Sequence, residues 1–343
     1  MRTGLLIGIG SGLVSGLVLA SAAKSTTGGF LLLFFLSPLP IAIAGLGWGW
    51  LSALAASIAA ASALAGILQM QTAVSHLFAI GLPLTGASYL LLLNRQYQPQ
   101  GFRQPLVTEW YPIGRLLAAL AFAAGALATF ALLSVASDAA GLEAVIRTAF
   151  EGISEKLSNL NIGAPGGEAK TAATKAADAK VTAADIERII KYVTNNLGAV
   201  IATTWILVWC VNLWLAAKIT RTSGLMNRPQ PDLSTICAPR ALSIAFALAA
   251  LLSFVPDYPG MIAKSFASAF LSVYVLVGLA VLHNITRGNV ARPFILAGVY
   301  SSLVIFQPVS ALIIAMIALG EPFLPIRRKG PFDSDYPPPV QPT

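Results

Sequence analysis

From Ser25 to Asn94 the chain runs for seventy residues without one Asp, Glu, Lys or Arg. A soluble fold needs charged positions on every helix or strand that meets water, and this run offers none. Across the whole chain 56% of residues are hydrophobic and 10% charged, too few charges to cover a water-facing surface of 343 residues. The sequence therefore predicts an all-α, polytopic transmembrane helix bundle. Only helices or closed barrels satisfy their backbone in lipid, and the apolar runs here have helical length. Two cysteines, Cys210 and Cys237, exclude a disulfide framework and a multi-cysteine metal site. The net charge of +8 does not point to nucleic acid, because the basic residues sit in short loops between apolar runs.

A hydrocarbon core of roughly 30 Å takes about 20 helical residues. Eight stretches qualify: 4–23, 30–46, 49–68, 73–93, 113–137, 198–217, 240–255 and 262–285. A ninth, 293–320, is interrupted by Gln307-Pro308. At about 42 Å it is long for one span and short for two, so it reads as one kinked span or a short hairpin. The resulting organisation is an N-terminal set of five helices (1–137), an extracytoplasmic insert (138–197), a C-terminal set (198–326) and a disordered tail (327–343) rich in Pro337, Pro338 and Pro339.

The first stretch has two readings. Arg2, the apolar run and Ala20-Ser21-Ala22 resemble a cleavable signal peptide. Against this, Gly4, Gly8, Gly12, Gly16 and Ala20 form a column of small residues at a spacing of four, which lets another helix approach closely. The partner helix belongs either to this chain or to a separate membrane subunit.

With the N-terminus in the cytoplasm of a bacterial inner membrane and the tail inside, the inner loops collect 13 basic and 5 acidic residues, and the outer loops 9 of each. The entire excess lies on one face, as the positive-inside rule requires. An inside tail demands an even number of crossings and so favours 293–320 as a hairpin, whereas its length favours a single span.

Two amphipathic helices are expected in the insert. Leu142, Val145, Ile146, Ala149, Ile153, Leu157 and Leu160 recur at helical spacing, as do Ile186, Ile189, Ile190, Val193 and Leu197. Thr182 with Asp185 is a capping pair, and residues 161–180 read as a mobile linker. Each helix either continues its neighbouring span or lies along the interface. Their apolar faces cover one another or the span ends, form a lid, or receive an external partner.

Catalytic chemistry is scarce. No charged side chain falls in the core of a span, His76 and His283 are far apart and read as packed or interfacial, and no Walker-type run exists. The expectation is a protein that is not an enzyme and carries no cofactor or metal, with any energy for transport supplied by a partner or an ion gradient. What remains is polar and conformational. Pro38 and Pro40 break the second span and free carbonyls for a cavity or a neighbour. Gly45, Gly47 and Gly49 alternate with Leu46, Trp48 and Trp50, and the two tryptophans fit an interfacial belt. In the sixth span Trp205, Trp209 and Asn212 share one stripe, with Trp209 near mid-membrane. That stripe either hydrogen-bonds to a neighbouring helix or binds a flat, weakly polar solute, and Gln307 is a further amide that could line a cavity.

Three short pieces resemble the YybS-like group of polytopic membrane proteins. They are Pro38-Leu39-Pro40 with the glycine-rich turn after it, Gly278-Leu279-Ala280-Val281-Leu282-His283, and Leu319-Gly320 followed by Arg327-Arg328-Lys329. The resemblance covers most of the membrane part and departs at the insert and at Glu321-Pro322. That group is distantly similar to the S components of energy-coupling-factor transporters. The resemblance implies intramembrane binding of a small molecule and docking, through small residues such as Gly8, Gly12, Gly16 and Ala20, on a transmembrane subunit that carries ATPases. The expected function is a substrate-binding or transport-related component for a small, weakly polar solute, with Trp205, Trp209, Asn212, Pro38, Pro40 and Gln307 at the site. The alternative is a non-transporting scaffold that recruits partners or anionic lipids.

Overall fold

A computed structural model describes residues 2–24, 29–98, 106–159 and 183–321. The expected linker, Thr182 of the capping pair and the whole tail, with Arg327 to Lys329, lie outside the described residues. The helices are α1 (Arg2–Lys24), α2 (Gly29–Leu36), α3 (Leu39–Trp48), α4 (Trp50–Ile67) and α5 (Met70–His76). A π turn, Leu77–Gly81, joins α5 to α6 (Leu82–Leu92), and α7 (Ile113–Val135) and α8 (Ala139–Asn159) follow. The C-terminal half holds α9 (Ala183–Thr222), α10 (Arg240–Leu252), α11 (Asp257–Ile285), α12 (Arg292–Ile305) and α13 (Val309–Gly320).

Among the described residues, seven helical segments are long and apolar enough to cross a membrane. They match the expected spans closely, with one exception. The expected span 240–255 is the 13-residue α10, about 20 Å long and well short of the hydrocarbon thickness. It ends in a turn at residues 253–255, and Pro256 caps α11 directly after it. A hydroxyl contact between Ser243 and Tyr274, 2.8 Å, fixes α10 to α11. Segment 293–320 is two short helices, of 14 and 12 residues, separated at Phe306 to Pro308.

These helices are apolar all round, and small residues gather on their inner faces among larger ones such as Leu120 and Leu132. On α7 the buried positions include Ala121, Ala124 and Ala128, while Phe122, Phe130 and Leu133 are exposed. Small residues let backbones approach and large ones face lipid, as expected where the surrounding solvent is hydrocarbon. The same logic seats α1 on α4. A methyl group added at Gly8 or Gly12 would overlap the carbonyls of Ser52 or Ala56, and one at Gly16 would lie 3.0 Å from that of Ala60. This corrects the expectation of docking on a separate subunit at that stripe: Gly8, Gly12, Gly16 and Ala20 are buried, the three glycines beneath the chain's own α4.

In the C-terminal half α11 is the hub, packing on α7, α9, α10 and α13, and α3 joins the halves through α9. Helix α9 is continuous for 40 residues, about 60 Å, so the second insert helix is an extension of the sixth span. Helix α8 folds back on that extension. Leu142 is fully buried in a cluster with Leu132, Tyr258 and Met261, and Arg147 reaches both Glu187 (2.8 Å) and Glu143 (3.1 Å). The described part of the insert thus covers the ends of α7 and α11.

The opposite end gathers the basic loops. Residue Gly47 faces Thr220 and Leu225, Gly114 touches the Cys237 carbonyl, and Arg287 pairs with Asp232 at 2.8 Å. A small antiparallel hairpin also sits there, β1 (Asn94–Tyr97) on β2 (Val107–Trp110), with Arg95 opposite Glu109 and paired to it at 2.6 Å.

Candidate functional site

Helix α9 brings Trp205, Trp209 and Asn212 onto one face, as their spacing requires. Trp209 is fully buried, and its Nε1 donates to the Ala79 carbonyl at 2.9 Å. Ala79 lies in the π turn, four residues before Pro83, which has no amide to offer its carbonyl. Asn212 Nδ2 donates to the Phe35 carbonyl, just before the proline break, and to Val208 in its own helix, both at 2.8 Å. Trp205 packs between Phe34 and Trp209, with ring centroids 6.1 Å away on each side.

The break is closed by further donors. Ser37 Oγ donates to Phe34, the carbonyl that loses its partner at Pro38, and Ser15 Oγ donates to Ser37 at 2.6 Å. Pro38 is buried and Pro40 half-buried. The stripe and the proline break do meet, as the sequence suggests. They meet as a filled seam that ties two irregular helices to α9, and this corrects the picture of Trp209 and Asn212 as walls of an open pocket. Asn212 Oδ1 and both ring nitrogens of the buried His76 have no hydrogen-bond partner among the described residues.

The open spaces lie elsewhere. A cleft of about 530 Å³ runs between the π turn with α6 and the outer face of α7. Its lining side chains are apolar: Leu82, Leu90, Leu120 and Leu127 line it, and Phe78 stacks near Phe130 at 6.5 Å. Both phenylalanines are exposed, so the cleft opens sideways into the lipid region. A second cleft of about 640 Å³ lies among α11, α12 and α13, from Leu282 and Val299 to Ile317. Gln307 is placed there, apart from the Trp and Asn seam.

Arg228 is the residue whose role the sequence did not reveal. It reads as one more basic loop position, yet it is 6% exposed. Its Nη1 donates to the Leu91 carbonyl at 2.8 Å and its Nη2 to Tyr111 at 3.0 Å, with the guanidinium 5.7 Å from the Trp110 ring centroid. Burial pushes its pKa down from the ordinary value, but a guanidinium stays charged, and the carbonyl end of α6 is the favourable pole for a cation.

At the basic end, Asp232 accepts from Ser234 N at 3.0 Å, Ser234 Oγ at 2.8 Å and Arg287. Burial raises its carboxyl, but these hydrogen bonds and the Arg287 charge outweigh that and hold it below the usual carboxylate value. Next to it, His283 Nε2 lies 3.0 Å from the Tyr300 hydroxyl and its Nδ1 lies 3.4 Å from Arg292 Nη2.

No curated protein and no solved structure matches the chain. One family profile does match, over residues 17–320, most of the chain and nearly all of its helices. With its helices, lipid-facing apolar surfaces and basic end accounted for, the chain belongs to the predicted membrane protein family DUF2232.

Proposed function

We propose that this integral membrane protein is a substrate-binding or transport-related component for a small, weakly polar solute that reaches it sideways from the bilayer. The observation that carries the reading is the cleft between α6 and α7. Its volume of about 530 Å³ falls within the range of small-molecule sites, and its lining contains no polar side chain. A solute seated there would press on the π turn whose Ala79 carbonyl Trp209 holds, which couples occupancy to α9. The S-component resemblance supports binding within the membrane, and the absence of a Walker-type run supports an external energy source. An ATPase-bearing partner subunit would have to engage a face other than the Gly8, Gly12 and Gly16 stripe. The orientation that fits best puts the N-terminus and the basic end in the cytoplasm of a bacterial inner membrane.

Ala119 is exposed on the cleft wall, and a side chain at Gly86 would meet nothing within 4 Å. Ala119→Trp and Gly86→Leu therefore fill the cleft without crowding the core. Full-length protein extracted in mild detergent should carry a co-purifying small molecule, detected by mass spectrometry, that both variants lose at unchanged melting temperature. An empty wild-type protein, or variants that keep the molecule, would reject the reading. The competing scaffold reading draws on the basic end, and it expects an empty cleft.

A further inference from the structure

The second cleft adjoins a polar cluster that lies one residue from its lining on both α11 and α12, an apolar slot beside cationic donors. Leu282 and Val299, which line the cleft, are followed in the chain by His283 and Tyr300, which belong to the polar cluster at the basic end. Arg292 Nη2, a donor only, faces His283 Nδ1, so Nδ1 accepts and Nε2 carries the proton toward the Tyr300 oxygen. The Tyr300 hydroxyl proton is then free to point outward. Among the described residues no carboxylate lies within ion-pair reach of Arg292, whereas Arg287 beside it is engaged with Asp232. Arg292 keeps further guanidinium donors for a ligand. It also opens α12, where Pro293 has no amide and the Arg292 amide is spent on the Asn289 carbonyl, so the free donors at this helix start are those of the guanidinium.

Beside this cationic cluster the cleft of about 640 Å³ is apolar apart from Ser302, Gln307 and Ser310, and both serine hydroxyls are spent on helix carbonyls. Helix α12 buries none of its residues, and Phe294 and Val304 are each 81% exposed. Cationic donors at the interface, an adjoining apolar slot and an unpartnered helix describe one occupant.

We propose that an anionic phospholipid of the leaflet at the basic end is bound here, its phosphate between Arg292 and Tyr300 and an acyl chain in the slot among α11, α12 and α13. This site is independent of the α6–α7 cleft. Full-length protein is equilibrated with mixed vesicles of phosphatidylglycerol and phosphatidylcholine, extracted in mild detergent, and its retained lipids are counted by native mass spectrometry. Wild type should retain phosphatidylglycerol preferentially, and Arg292→Gln should lower that retention roughly tenfold, the loss of a charge-assisted hydrogen bond. Ser302→Trp, which fills the slot, should lower it as well, and millimolar inorganic phosphate should not compete. Equal retention of the two lipids, displacement by phosphate alone, or indifference to Arg292→Gln or Ser302→Trp overturns the proposal. Should Arg292→Gln fail to fold, Tyr300→Phe and Arg292→Lys take its place, and unchanged retention in both overturns it equally.

Discussion

Trp209 and Asn212 each use a side-chain donor on the carbonyl of an irregular helix, and in lipid no water can substitute for that donor. Trp209→Phe and Asn212→Leu should each lower stability by about 1 kcal/mol, the scale of hydrogen bonds between membrane helices. Thermal unfolding in detergent, followed by intrinsic fluorescence for the second variant, measures it; no change would mean the carbonyls find other donors. Gly12→Leu should cost more, about 1–3 kcal/mol, because the added side chain meets the Ala56 backbone rather than a movable side chain. The sequence shows that these residues share a helix face and that small residues line α1. It cannot show what they face. The acceptors of Trp209 and Asn212 lie 130 and 177 residues away in the chain, and neither is a side chain with a recognisable signature. Arg228 was hidden for the same reason: its partners are carbonyls.

Helix lengths follow from uncharged runs, and the break at Pro38 follows from the missing amide, so most elements were legible within a turn of their ends. The π turn was not, since Leu77 to Gly81 has the composition of any apolar helix. The sequence reading carries α10 past its end at Leu252 because Phe254 and Val255 beyond Ser253 are apolar again, and hydropathy does not register a turn in lipid. Loops at the basic end are held by polar contacts that pattern reading undervalues. Asp232 joins the short helical turn Leu233–Thr235 to the end of α11 through Arg287. Its folded-state pKa lies below its unfolded value, so its contribution is complete above the unfolded pKa, near 3.8. That contribution is lost as pH falls through the lower, folded value. Asp232→Asn should therefore lower the melting temperature at pH 7 and make no difference at the acid end. Both groups are partly exposed, so the effect should be small and diminish in high salt. A variant as stable as wild type at pH 7 in low salt would show that the tether contributes nothing.

At the scale of the whole molecule two segregations coexist. Small residues gather where helices approach closely while many large apolar residues face outward, and the described basic loop residues concentrate at the end opposite the insert. The spacing of the small residues on α1 hints at the first, and counting charges along alternating spans yields the second; the clefts escape both, since an apolar slot and an apolar wall have the same residues. The folded chain links the loops after α6, α9 and α11 physically, through Arg228 and the Asp232–Arg287 pair, so a marker in one of them reports the side of all three. Cys237 is such a marker. It is exposed in the loop after α9, whereas Cys210 is half-buried within the α9 span. A thiol reacts with maleimide as the thiolate, a form that lipid disfavours, so Cys210 should stay silent in intact membranes. A membrane-impermeant maleimide should label inverted vesicles and not intact cells, and Cys237→Ser should abolish the signal. Labelling from the outside would turn the molecule over, placing the basic end and the proposed phospholipid site in the outer leaflet against the positive-inside rule.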